Sequence, residues 1–160
     1  MCTSNKFFRI QTNAFVFFLF GAFLVFSSCD NNDEGFSDKG TSLSISDIAG
    51  SWIATSATFS APEFIDLLAE GTTLSLVIEP NGRFSFTMKF AGEAADVTTG
   101  KLGFDGEWLS LKFDDDPGEE LSFFISLAND ILTLRGQTEL DSDRNGVEDF
   151  GTLELIMARN

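Results

Sequence analysis

The sequence has 160 residues, with 10 Lys+Arg against 25 Asp+Glu, no His, and a formal net charge of -15. That length suits one domain, and the absence of imidazole excludes Ser-His and Cys-His nucleophiles, His-ligated zinc and the usual general base near neutral pH. An acidic chain without a Lys/Arg cluster argues against nucleic acid as a partner, and 43% hydrophobic residues with 19 Phe argue against a disordered acidic tail.

In chain order, Lys6 and Arg9 precede an uncharged apolar run over residues 14–26, which ends in Ser27, Ser28 and Cys29. A basic start, an apolar run shorter than the roughly 20 residues a bilayer requires, and small residues at its end predict a secretory signal peptide over 1–28. The small residues before Cys29 resemble a bacterial lipobox, with Phe26 in the position that usually holds Leu. The resemblance implies cleavage before Cys29, acylation of its thiol (palmitate among the acyl groups) and a lipid anchor in the outer membrane of the cell envelope. Several acyl chains together make such an anchor stable. Cys2 falls within the signal, so Cys29 is left without a partner thiol and no intramolecular disulfide is expected.

Residues 29–47 are predicted to be a flexible tether, because their first part has low hydrophobicity and no period. Its acid-rich start, Asp30-Asn31-Asn32-Asp33-Glu34, looks like the signals that send Bacteroidetes lipoproteins to the cell surface. A solvated spacer explains the same residues, and both readings stand.

From Ile48 onward apolar residues alternate with polar ones, interrupted by turn residues about every dozen positions. The first strand is expected over 51–59. A helix over 61–70 follows, from the capping-box spacing of Ser60 and Glu63, the apolar Phe64, Ile65, Leu67 and Leu68, and the stop at Gly71. Further strands carry Leu74, Leu76 and Ile78, then Phe84, Phe86, Met88 and Phe90 after the hairpin signal Asn81-Gly82. The alternation continues over 94–104, then through Leu109, Leu111 and Phe113, through Leu121, Phe123, Ile125 and Leu127, through Leu132 and Leu134, and through Leu153, Leu155 and Met157. These are eight candidate strands. The fold class predicted is all-β, an eight-stranded antiparallel up-and-down barrel with one short helix between the first and second strands. Closure hides every edge, and a two-sheet sandwich is the alternative.

Two acidic segments interrupt the strands. Residues 114–120 hold Asp114, Asp115, Asp116, Glu119 and Glu120 around Pro117-Gly118, without ligand spacing, and read as a turn. Residues 141–149 place Asp141, Asp143, Asn145, Val147 and Asp149 at alternate positions, with Gly146 at the sixth. Alternate oxygen donors around a sharp glycine turn suit a hard cation, with Val147 offering its carbonyl, so a structural calcium ion is expected. The loop resembles those of EF-hands and thrombospondin type 3 repeats, but Thr152 stands at position twelve in place of the bidentate Glu, which implies weak affinity. A solvated acidic hairpin is the alternative reading. No spacing selects a pair of carboxylates for acid/base chemistry, so no enzyme activity is expected.

The motif Ile48-Ala49-Gly50-Ser51-Trp52, with Gly two residues before Trp at the start of the first strand, resembles the opening of bacterial lipocalin-like lipoproteins. The resemblance covers residues 48–160 and implies that Trp52 closes one end of the barrel beneath an Arg from the last strand, here Arg159. It also implies an interior for one small hydrophobic ligand, lined by Phe84, Phe86, Met88, Phe90, Leu111, Phe113, Phe123 and Ile125. The many large inward residues point to a small cavity or none. The alternative function is therefore a filled structural or protein-interaction module, stabilised by the calcium loop. No particular protein partner is legible.

Overall fold

The computed structural model describes residues 36–61, 63–116, 118–141 and 146–160, all within the compact unit Asp33–Asn160. The expected signal segment, Cys29 and the acids at 30–34 lie outside the described residues. Among the described residues one helix, α1 (Ile45–Ile48), precedes nine strands: β1 (Gly50–Ser60), β2 (Phe64–Asp66), β3 (Thr73–Ile78), β4 (Arg83–Lys89), β5 (Asp96–Asp105), β6 (Trp108–Phe113), β7 (Glu120–Ala128), β8 (Ile131–Leu140) and β9 (Asp149–Arg159). Consecutive strands from β3 to β9 pair antiparallel, β3 pairs with β1, and β9 returns to β1. Eight strands thus close an antiparallel barrel, and β2 is an addition to the edge of β1.

The alternation in the sequence decides which face of each strand points inward. Leu74, Leu76 and Ile78 of β3 are buried while Val77 between them is exposed. Tight turns join the strands; in the β7–β8 turn both Asn129 and Asp130 have positive φ, 52° and 59°, as the favoured two-residue hairpin turn requires. Closure also needs stagger. Strand β5 pairs through Asp96 to Lys101 with β4, then through Gly100 to Asp105 with β6, so the register climbs around the barrel. A bulge between Ala54 and Ser56 sharpens the bend of β1, and the extra residue, Thr55, donates from Oγ1 to the Ile156 carbonyl at 3.1 Å.

Bulky Phe side chains are accommodated by glycine on the facing strand. Phe84 stands opposite Gly100 and Phe123 opposite Gly136. A Cβ on Gly136 would lie 2.7 Å from the Phe123 ring and 2.6 Å from the Ser122 carbonyl, so only glycine lets that ring lie flat on the wall.

Two boundaries differ from the sequence expectation. Residues 61–70 do not form the expected helix: Phe64–Asp66 is strand β2 and residues 67–71 are turns, with Pro62 outside the described residues. The reason is unsatisfied backbone on β1. Only Gly50 to Ile53 of that strand pair with β3, and β2 covers Thr58 to Ser60 beyond them, while Leu67 donates its N–H to Ala57 at 2.9 Å. Asp66 then accepts from the N–H groups of Leu68 and Ala69, both at 3.1 Å, which competes with helix formation. The helix lies instead ahead of β1, where Ser44 donates its N–H to Asp47 at 2.8 Å.

The folded unit also starts before Ile48. Ser37 pairs with Phe104, and Ile45 of α1 is buried, so residues 36–47 pack on the barrel although their composition reads as tether.

Candidate functional site

The two ends of the barrel are built differently. At the end formed by the β3–β4, β5–β6 and β7–β8 turns, α1 inserts Ile45 and Ile48, and these pack with Trp52, Ile78, Leu109, Leu132 and Met157, all fully buried. Trp52 donates its indole N–H to the Ile48 carbonyl at 2.8 Å. The Arg159 guanidinium lies 4.2 Å from the Trp52 ring centroid and donates to the carbonyls of Ala49 at 2.8 Å and Asp47 at 3.0 Å, and to the Asp130 carboxylate at 3.1 Å. Gly50 is required at this plug: its φ is 138°, and a Cβ would meet Arg159 at 2.7 Å. Gly50, Trp52 and Arg159 thus form one closed end, in which each of the four donor nitrogens of Trp52 and Arg159 makes a hydrogen bond.

At the opposite end the interior is not filled. A cavity of about 310 Å³ lies among side chains of β3 to β9, and Leu67 from the turn after β2 lines it as well. Of the eight residues expected to contact a ligand, Phe84, Phe86, Met88, Leu111, Phe113 and Phe123 line this cavity. Phe90 and Ile125 do not: Phe90 lies beyond the end of β4, and Ile125 borders a small recess near the closed end. Phe86, Met88, Phe113, Leu121, Leu140 and Leu153 are only partly buried, so apolar surface is left for another molecule to cover.

The mouth of the cavity is acidic. Asp115, Asp116 and Glu119 from the β6–β7 connection and Glu139 from β8 line it, where the sequence had suggested a plain turn at 114–120. Their neighbours are occupied: Arg83 makes a two-point ion pair with Asp114, and Lys112 approaches Glu120 at 3.8 Å. Among the described residues no cation pairs with Asp115, Asp116, Glu119 or Glu139. No spacing rule could have found these residues, because only the closure of β6 to β9 around one interior brings them together.

Hydrogen bonds from Arg83 and from Thr99, the latter at 2.7 Å, hold the Asp114 carboxyl down at about 2 from its ordinary 3.8. A depressed value means that the charged form favours the fold. Its contribution is complete above 3.8, shrinks as the pH falls and is gone below about 2. With both partners on the surface, the effect on global stability is small. Arg83→Gln is expected to raise the midpoint of Asp114, followed through its carboxyl carbon shift by NMR, and an unchanged midpoint would contradict the pairing.

In the 141–149 loop, the Asp141 carboxylate accepts from the Gly146 N–H at 2.9 Å, and Asp149 opens β9 opposite Leu140. Val147 is exposed. Asp143 and Asn145 lie outside the described residues. Among the described residues no group of three or more His, Cys, Asp or Glu side chains is arranged to hold a metal ion.

No protein-family model matches the chain, and no curated protein matches it.

Proposed function

We propose that this protein is a non-catalytic lipoprotein of the cell envelope, attached to the outer membrane through Cys29, whose lipocalin-like barrel binds one small hydrophobic ligand. The observation that carries the binding reading is the cavity of about 310 Å³, lined by apolar side chains that are only partly buried at the open end. Small-molecule sites have this character and start at about this size. The envelope address rests on the basic, apolar and small-residue pattern ahead of Cys29.

Native mass spectrometry tests the reading on the unit from Asp33 onward, which has its own closed sheet and core, exported to a bacterial periplasm and purified without detergent. The expected result is an apolar adduct released on denaturation. A bare chain would favour the filled, surface-acting module.

The alternate oxygen-bearing residues of 141–149 support the reading of a structural calcium ion, to which Asp141, Asp143, Asn145 and Asp149 would offer side-chain oxygens and Val147 its carbonyl, with affinity in the 10⁻⁴ to 10⁻³ M range, roughly, of extracellular modules. Millimolar calcium is then expected to raise the Tm, and replacing Asp141 and Asp143 by Ala to abolish the rise. Identical melting of the wild type in calcium and in chelator would remove the ion from the account.

A further inference from the structure

We propose that the cavity selects apolar ligands with a cationic head, hydrophobic amines rather than fatty acids. This rests on the cavity-binding reading and adds the chemical class of the ligand.

The cavity walls are apolar apart from Thr98 and Thr138, and among the described residues every charged side chain that lines it is an acid: Asp115, Asp116, Glu119 and Glu139. All four are at the surface and, among the described residues, without a cationic partner, while adjacent Asp114 and Glu120 are engaged by Arg83 and Lys112. Among the described residues the mouth therefore presents carboxylate oxygens as acceptors and no ammonium or guanidinium as a donor. An apolar tail seated inside places its head group among them. A protonated amine donates hydrogen bonds to carboxylates there, whereas a carboxylate head meets like charges above a low-dielectric interior that concentrates their field. The net charge of -15 adds the same sign at longer range. A neutral alcohol of equal chain length gains neither effect, so the three head groups separate charge from hydrophobicity.

The test is calorimetric titration of the unit from Asp33 onward with octylamine, octanol and octanoate at pH 7.5. Octylamine is expected to bind about tenfold or more tightly than octanoate, with octanol between them, as a few surface-exposed charge contacts allow. Raising salt from 0.1 to 1 M shortens the screening length from about 10 to 3 Å and is expected to compress that ratio. The variant D115N/D116N/E119Q is expected to compress it as well. These positions are exposed and the Asn at 116 still accepts from the Gly118 N–H, so the fold is retained. Equal binding of the three probes, a reversed order, or a preference that survives in the variant overturns cation selectivity and leaves the cavity reading in place. Binding of none of the three overturns the cavity reading itself.

Discussion

Trp52→Ala is expected to lower the stability of the barrel by about 3 to 5 kcal/mol, the largest effect of any single truncation in the closed end. Trp52 has no exposed surface, and its removal also strips the face on which Arg159 lies and leaves the Ile48 carbonyl without its indole donor. For a domain of this size, that loss corresponds to a fall in Tm of roughly 10 °C or more. Trp52→Phe keeps an aromatic surface but not the N–H, so it is expected to cost only about 1 to 3 kcal/mol. Thermal melts followed by far-UV circular dichroism distinguish the two. If both variants melt within 2 °C or so of the wild type, the Trp52–Arg159 plug does not hold the end of the barrel.

The second large effect is on binding. Met88 lines the cavity from β4 and is only partly buried, so Met88→Trp fills space that is otherwise empty without displacing the core at the closed end. It is expected to abolish retention of an apolar ligand while changing stability by less than about 1.5 kcal/mol, since the added rings occupy existing volume. Phe86→Ala works in the other direction. It widens the same cavity and is expected to alter ligand affinity together with a loss approaching 3 kcal/mol, less than for a fully buried Phe. Measured side by side by native mass spectrometry and chemical denaturation, the pair separates a carrier from a filled module. Ligand retention unchanged in both variants, with Phe86→Ala merely destabilised, would sink the carrier reading.

Much of the barrel was legible from local chemistry. Alternation in Leu74-Ser75-Leu76-Val77-Ile78 and turn pairs such as Asn129-Asp130 act between near neighbours, so they predict strands and hairpins without reference to the rest of the chain. The resemblance implied a ligand cavity, and the inward placement of the six assigned residues that line it follows from the same period of two. The segment 61–70 shows where that reasoning stops. Its apolar spacing suits a helix, but ten residues carry little helical stability of their own, and the open edge of β1 offered backbone partners that no local pattern reveals. Likewise, residues 36–47 have the composition of a spacer, yet Ile45 is drawn into the barrel end beside Ile48 because that end is otherwise open to water.

Pattern, turn chemistry and charge are local or additive properties, so the class of fold, the order of the eight barrel strands and the chain's acidic character are readable from the residues alone. The remaining features arise only on folding. The depth to which the interior is filled depends on how Phe rings meet Gly100 and Gly136 across neighbouring strands. Whether an acid is a bystander or part of a mouth depends on closure, which brings Glu139 of β8 to the same cavity as Asp115, Asp116 and Glu119. Volume and charge convergence are properties of side chains distant in sequence and adjacent in space, and no one-dimensional pattern carries them.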